Sequence, residues 1–254
     1  MSALGFGVDI GGSGIKGGIV NLDTGELIEE RIKIETPQPS VPDAVAATVA
    51  EIVSRAEWEG PVGVTLPAVV KAGIARTAAN IDKSWIGTDA RLLFSTALGG
   101  REVVVLNDAD AAGLAEDRYG AGRDAEGIVV LLTFGTGIGS ALVHNGVLFP
   151  NTEFGHMEVD GKEAEHRAAA SVKDTKGLSY KDWAAEVTRV LCVFEDLLWP
   201  DLFIAGGGIS RKHEKWIPRL ENRTPVVPAA LLNTAGIVGA ALTATNRLQK
   251  GISP

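Results

Sequence analysis

The chain opens with an apolar run, Leu4 to Ile10, broken by the Asp9 carboxylate, then Gly11-Gly12-Ser13-Gly14, then a second run from Ile15 to Asn21. That pattern predicts a strand, a tight turn and a returning strand. Asp23-Thr24-Gly25 signals another turn, and the alternation from Leu27 to Ile34 predicts a third strand. Pro37, Pro39 and Pro42 break the chain. Val45, Val49, Ile52 and Val53 recur at helical spacing and predict a helix from Val41 to Trp58, closed by Gly60-Pro61. Val62 to Leu66 reads as a fourth strand and Arg91 to Leu98 as a helix. Val103-Val104-Val105-Leu106 is a short buried strand that delivers Asn107 and Asp108 at its carboxyl end. A helix-like stretch, Ala109 to Tyr119, follows at once.

A second round then begins. Gly127 to Thr133 predicts a strand, Phe134-Gly135-Thr136-Gly137-Ile138-Gly139-Ser140 a glycine turn, and Ala141 to Leu148 its return. Helices are expected at Lys162–Val172 and Tyr180–Leu198. Leu202 to Ala205 predicts a strand running into Gly206-Gly207-Gly208-Ile209-Ser210, and Ala235 to Leu248 a last helix. The strand–glycine turn–strand unit thus occurs twice, each time at the head of a set of strands and helices. Two similar α/β halves facing one another would form a cleft with the glycine turns aimed into it. In Tyr180–Leu198 the apolar positions Trp183, Val187, Val190, Leu191, Phe194, Leu197 and Leu198 suit a core more than a dimer seam.

With 254 residues the chain can bury a sizeable core. A net charge of -8 disfavours general nucleic-acid or membrane-surface binding, so any polyanion needs a local basic patch. Arg211 to Arg223 is such a patch, readable as a solvated helix face or as a track for an extended polyanion. The single cysteine, Cys192, excludes a disulfide framework or a cysteine-rich zinc site within one chain. With no charged-then-apolar leader before Leu4 and no run of about 18 apolar residues, a cytoplasmic protein is expected.

The chemistry clusters at the predicted strand ends, where α/β sheets bind ligands. Asp108 is a candidate general base; its competing role is to cap the helix that follows. Backbone N–H groups can cradle phosphate only where side chains leave room. Gly11, Gly12, Ser13 and Gly14 offer one such cradle, Gly135, Thr136 and Gly137 a second, and Gly206, Gly207 and Gly208 a third. None matches a P-loop, for no G-K-[ST] follows, and a dinucleotide fingerprint is also missing. Asp9 either holds a hydrated Mg²⁺ beside the phosphates or braces its own turn. Lys16 either neutralises phosphate charge or lies on the exposed face of its strand. Asn80, Asn107, Glu153, His156 and Glu165 supply amides, carboxylates and an imidazole, groups that pair sugar hydroxyls. His156 lacks the second His or Cys of a zinc site, and His144 and His166 read as surface or structural.

Four motifs, Asp9-Ile10-Gly11-Gly12-Ser13-Gly14, Asn107-Asp108-Ala109-Asp110-Ala111-Ala112, Gly135-Thr136-Gly137 and Glu153-Phe154-Gly155-His156, make the chain resemble the ROK family of sugar kinases and repressors. Ala79 to Gly87, Thr133 to Ser140 and Ala205 to Ser210 are similar to family members that use inorganic polyphosphate. The resemblance covers nearly the whole chain. It implies an α/β architecture of the actin/hexokinase-like (ribonuclease-H-like) type, two lobes with a central cleft. The small lobe would take residues 1–107 plus about 236–254, and the large lobe 108–235. It further implies phosphoryl transfer from inorganic polyphosphate, with ATP as a second candidate donor, to the 6-hydroxyl of glucose, with Mg²⁺ as cofactor and a homodimer as the assembly. Asp108 is then the base, and Asn80, Asn107, Asp108, Glu153, His156 and Glu165 hold glucose. The turns at 11–14 and 135–137 hold donor phosphates, with 206–208 nearer adenosine or the polyphosphate chain. Two departures stand out. Many family members carry a CxCGxxGC zinc motif that this chain lacks, so no zinc site is carried over to His156. Many also place Lys directly after the D-x-G-G-T/S motif, where this chain has Gly14, with Lys16 the nearest lysine. The competing readings are a strictly ATP-dependent glucokinase or glucomannokinase, and a sugar-sensing repressor, which would need a DNA-binding module ahead of the first strand.

Overall fold

A computed structural model describes residues 3–250, the last five of them as helix backbone only. The strands and helices run β1 (Leu4–Ile10), β2 (Ile15–Asn21), β3 (Glu26–Leu27), β4 (Ile32–Ile34), α1 (Pro42–Arg55), β5 (Val62–Leu66), β6 (Val70–Lys71), β7 (Ile74–Ala75), α2 (Ala90–Ala97), β8 (Val103–Asn107) and α3 (Asp108–Tyr119). They continue as β9 (Ile128–Phe134), β10 (Ile138–His144), β11 (Val147–Phe149), β12 (Glu158–Val159), β13 (Lys162–Glu163), α4 (Ala164–Ala168), α5 (Ala170–Thr175), α6 (Tyr180–Leu198), β14 (Leu202–Gly206), β15 (Val226–Pro228) and α7 (Ala235–Lys250). The chain divides into two compact units, 1–115 with 233–254, and 116–232. The first division falls inside α3, eight residues past the expected 107/108 boundary. The expected lobe's residues beyond 250, and the side chains past 245, lie outside the described residues.

In the first unit the sheet order is β3-β2-β1-β5-β8, with β4 also paired to β2. β1 and β2 are antiparallel, whereas β1, β5 and β8 are parallel neighbours. The Gly11–Gly14 turn and the Asn107-Asp108 step therefore leave the same edge of one sheet. Helix α7 packs on β1 and β5. It lies so close that a Cβ at Gly7 or Gly63 would sit 1.9 Å from the carbonyl oxygens of Ile237 or Ala240. Phe6, Val8, Val64, Trp85 and Phe94 are among the residues that form this unit's core.

The second unit repeats the scheme with order β11-β10-β9-β14-β15, β9 and β10 antiparallel, β9, β14 and β15 parallel. The internal repeat read from the sequence is thus a repeat of sheet topology. One face is covered by α6, whose Trp183, Val187, Val190, Leu191 and Phe194 are buried while Leu197 is exposed. Phe134, Trp183 and Trp216 meet at ring-centroid distances of 5.7, 5.7 and 4.9 Å.

Several expected boundaries are corrected. The strand expected over Leu27–Ile34 is two short pieces, β3 and β4, both paired to β2. The helix expected to reach Trp58 stops at Arg55, with Glu57 at φ 50° turning the chain away. The return strand expected over Ala141–Leu148 is a hairpin, because Asn145 (φ 49°) and Gly146 (φ 78°) form a two-residue turn between β10 and β11. The helix expected over Lys162–Val172 begins with another such turn, Asp160 (φ 48°) and Gly161 (φ 75°), joining β12 to β13. It then breaks into α4 and α5 at Ala169, which is extended (φ -58°, ψ 152°). The basic run is no continuous helix: a 3-10 stretch, Gly208–Lys215, is non-helical at Lys212, and Pro218 sits in a further turn, Ile217–Arg219.

Candidate active site

In the first unit, the acid of the first strand is held from two sides. The Thr65 hydroxyl donates to Asp9 Oδ1 at 3.0 Å, and Lys16 Nζ lies 3.6 Å from Oδ2. Lys16 therefore faces Asp9 across the β1–β2 pair, where the two residues are register partners. Thr65 Oγ1 also accepts the Ile10 N–H at 3.2 Å, which ties the end of β1 to β5. The Gly11 N–H turns inward to the Gly14 carbonyl at 3.2 Å, closing the hairpin. Thr65 was not anticipated; a lone hydroxyl in the apolar run Val62 to Leu66 was the available signal. One carboxylate beside an ammonium is too little for an all-protein metal cage, but it fits an ion that keeps its waters, as Mg²⁺ does.

The cap of α3, which the sequence left open, falls to Asn107: its Oδ1 accepts the N–H groups of Ala109 (2.8 Å) and Asp110 (3.1 Å), while Nδ2 donates to the Ala68 carbonyl at 3.2 Å. Asp108 is half-buried, and its Oδ1 accepts the adjacent Ala109 N–H at 2.9 Å. Asn80 is exposed at φ 59°, with its backbone beside Gly12. The segment after it is anchored by buried Trp85, whose indole N–H donates to the Ser40 carbonyl at 2.9 Å.

In the second unit, Ser140 on β10 positions the Glu153 loop. Its hydroxyl donates to the Thr152 carbonyl (2.7 Å) and accepts the Phe154 N–H (3.0 Å). Phe154 to His156 then form a single 3-10 turn. His156 lies among three carboxylates: Nε2 is 3.8 Å from Glu153, and Nδ1 is 3.4 Å from Glu163 and 3.9 Å from Glu165. Burial pushes the Glu153 carboxyl above its ordinary value; His156 pulls it down and Glu165 pushes it further up. Glu165 Oε2 accepts the Ile138 N–H at 3.3 Å, so it is fastened directly behind the second glycine turn. Glycine is required on both sides of that contact. A Cβ at Gly137 would lie 2.3 Å from Glu165 Oε2, and one at Gly155 would lie 2.2 Å from the Ile138 carbonyl oxygen.

Ligand atoms of His156, Glu163 and Glu165 lie within 4.8 Å of one another, a set able to hold a metal ion. Glu163 is an addition to the residues singled out from the sequence. Exposed His166 pairs with it at 3.4 Å, in keeping with a surface role. The Gly135 N–H turns back to the Gly137 carbonyl at 3.0 Å. Ser171, also unanticipated, clasps this turn from outside: its N–H donates to the Gly135 carbonyl (3.1 Å) and its hydroxyl to that of Thr136 (2.7 Å). The Gly206–Gly208 segment leaves the same sheet edge, since Gly206 is the β14 register partner of Thr133.

The model of one protein family, described as the ROK family, matches residues 5–171. The chain belongs to the ROK family. Among relatives, it is 69% identical to a polyphosphate glucokinase of Mycobacterium tuberculosis (strain CDC 1551 / Oshkosh), over 94% of this chain and 90% of that protein. It is 67% identical to a polyphosphate glucokinase of Mycobacterium leprae (strain TN), over 95% of this chain and 74% of that one. A solved structure, the inorganic polyphosphate/ATP-glucomannokinase of Arthrobacter sp. strain KM, superposes with a TM-score of 0.90 at 48% identity, covering 96% of this chain and 99% of that one. The fold is accordingly that of the ROK sugar kinases, α/β and actin/hexokinase-like, as the motifs led one to expect. No described helix is long and apolar enough to cross a membrane.

Proposed function

We propose that this ROK protein phosphorylates glucose, taking the phosphoryl group from inorganic polyphosphate, with ATP as a second donor. The observation that carries the reading is the 69% identity to a mycobacterial polyphosphate glucokinase, sustained over 94% of the chain. The glucose 6-hydroxyl oxygen attacks the terminal phosphorus of the donor. An O–P bond forms there as the bond to the rest of the donor breaks, and the shortened polyphosphate leaves with the electron pair. Asp108 takes the hydroxyl proton, a contribution of about 10²–10⁴-fold.

Glu153, His156 and Glu165 are proposed to hold sugar hydroxyls, since carboxylates accept from them and an imidazole can do either. Asn80 joins them, as does Asn107 through the second N–H of Nδ2, its oxygen being committed to the cap. The donor meets the backbone of the 11–14 and 135–137 turns. With Gly11 and Gly135 N–H turned inward, this task falls to Gly12, Ser13, Gly14, Thr136 and Gly137, and to the 206–208 segment. Positioning and charge stabilisation do most of the work in phosphoryl transfer. Asp9 would hold a hydrated Mg²⁺, which would supply positive charge to the donor phosphates, and Lys16 adds its own.

A homodimer and a cytoplasmic location belong to the same reading. Exposed Leu197 and Trp199 at the end of α6 are surface that association would cover, which sedimentation measures. A single cysteine leaves no disulfide within the chain, in keeping with a reducing compartment. The deciding experiment assays glucose 6-phosphate formation with polyphosphate freed of ATP and with ATP freed of polyphosphate. Turnover with ATP and none with polyphosphate would overturn the assignment of the donor.

A further inference from the structure

Two ammonium groups converge on one aromatic ring in the second unit. Lys173 Nζ, on α5, lies 4.5 Å from the centroid of the Tyr180 ring, and Lys215 Nζ lies 5.6 Å from it. Both distances fall within the range of cation–π attraction. The Lys173 side chain is only 14% exposed, and its carboxylate neighbour, Asp174, sits at 3.5 Å. Two ammonium groups on one ring make the potential around it positive and favour an anion there.

The connectivity says which anion. Ser171 binds the Gly135 and Thr136 carbonyls, so α5 begins on the second glycine turn, and Lys173 follows two residues later. Lys215 ends the 3-10 stretch that begins at Gly208, on the same sheet edge as that turn. The ring with its two lysines is thus reached from both glycine segments of this unit. The step from the turn is on the order of 10 Å, from a helical rise of about 1.5 Å per residue plus a lysine side chain. In the later part of the basic run, Arg219 Nε donates to the Lys215 carbonyl (2.8 Å), and the Arg223 guanidinium stacks 4.1 Å from the Trp199 ring. Lys215 is the member of that run that joins the ring.

We propose that Lys173, Tyr180 and Lys215 form a station for the distal phosphates of a polyphosphate chain whose reacting end lies at the glycine turns. This rests on the polyphosphate reading of the preceding section and adds a subsite that selects for long donors. Tripolyphosphate has no units beyond those held at the glycine turns, and the neutral adenosine end of ATP does not need two ammonium groups. Lysine serves phosphate as a point charge, so the station reads charge and length, not shape.

The test compares the wild type with Lys173→Gln/Lys215→Gln and with the charge-keeping Lys173→Arg/Lys215→Arg, using long-chain polyphosphate, tripolyphosphate and ATP as separate donors. In the Gln pair, KM for long-chain polyphosphate is expected to rise at least about tenfold, the worth of roughly one net charged hydrogen bond. KM for glucose and turnover with tripolyphosphate or ATP should move less than about twofold, and the salt dependence of long-chain KM should become shallower as phosphate contacts are lost. The Arg pair should restore long-chain KM. If the wild type prefers long chains and the Gln pair keeps that KM, the station is wrong while the donor assignment stands. A wild type inert with every polyphosphate sinks both. A Gln pair impaired equally with all donors assigns the lysines to structure and also overturns the station.

Discussion

Replacing Glu116 by Gln exchanges one oxygen for an amide nitrogen on a side chain that is fully buried. Glu116 Oε2 accepts the N–H groups of Ala121 (2.9 Å) and Ala230 (3.0 Å), and Oε1 accepts that of Leu231 (2.7 Å). A glutamine keeps both Oε2 bonds only by placing its amide nitrogen against the Leu231 N–H. One charge-assisted bond is then lost and a part-buried N–H loses its Glu116 acceptor, at a cost of about 2–4 kcal/mol. For a chain of this size each kcal/mol lowers Tm by about 2–4 °C, so a fall of about 5–15 °C is expected. Native-state hydrogen exchange adds the local readout: the Leu231 amide should lose protection in the variant, more than amides in the β9–β14 ladder. Wild-type Tm together with unchanged Leu231 exchange would refute the accounting.

Asp108→Asn should lower kcat by at least about 10²-fold with KM for glucose nearly kept, since it removes a base and leaves a side chain of the same shape; turnover near wild type would strip Asp108 of that role. The raised Glu153 pKa means that, as pH falls, this acceptor protonates sooner than an ordinary glutamate. KM for glucose should therefore climb on the acid side from a pH above the usual carboxylate range, and Glu153→Gln should flatten that limb of the profile. Gly137→Ala would put a methyl 2.3 Å from Glu165 Oε2 and must displace it from the Ile138 N–H. KM for glucose should rise several-fold with Tm nearly unchanged, and an unaltered KM would mean that Glu165 does not touch the sugar.

The long strands were legible because their apolar runs are continuous and each meets a glycine turn. β1, β2, β5, β8 and β9 lie within a residue or two of where the pattern puts them. The short hairpins were passed over although Asn145-Gly146 and Asp160-Gly161 are the dipeptides a two-residue turn favours. In each case helical or strand-like apolar spacing on either side outweighed the turn signal. The break between α4 and α5 is a different matter. Ala164, Ala168 and Val172 have helical spacing, and the helix is interrupted where Ser171 turns to the Gly135 and Thr136 carbonyls, partners about 35 residues away that no local pattern reveals. Glu116 was equally hidden, for its partners at Ala230 and Leu231 lie 114 and 115 residues along the chain. The Asn107-Asp108 step at the end of β8 was legible, but which of the two caps the helix needed hydrogen-bond geometry to decide.

The placement of α7 also governs the order in which the protein can be made. The second unit is one uninterrupted segment, 116–232, so all of its strands and covering helices are available once that stretch has been synthesised. The first unit's sheet is complete by Asn107, yet the face of β1 and β5 that carries Gly7 and Gly63 stays uncovered until α7, made after the second unit, arrives to press its backbone against it. Phe6, Val8 and Val64 point to the other face, which packs on α1, so it is the glycine-lined face that waits through the synthesis of the other unit, and the first unit closes only after residue 232.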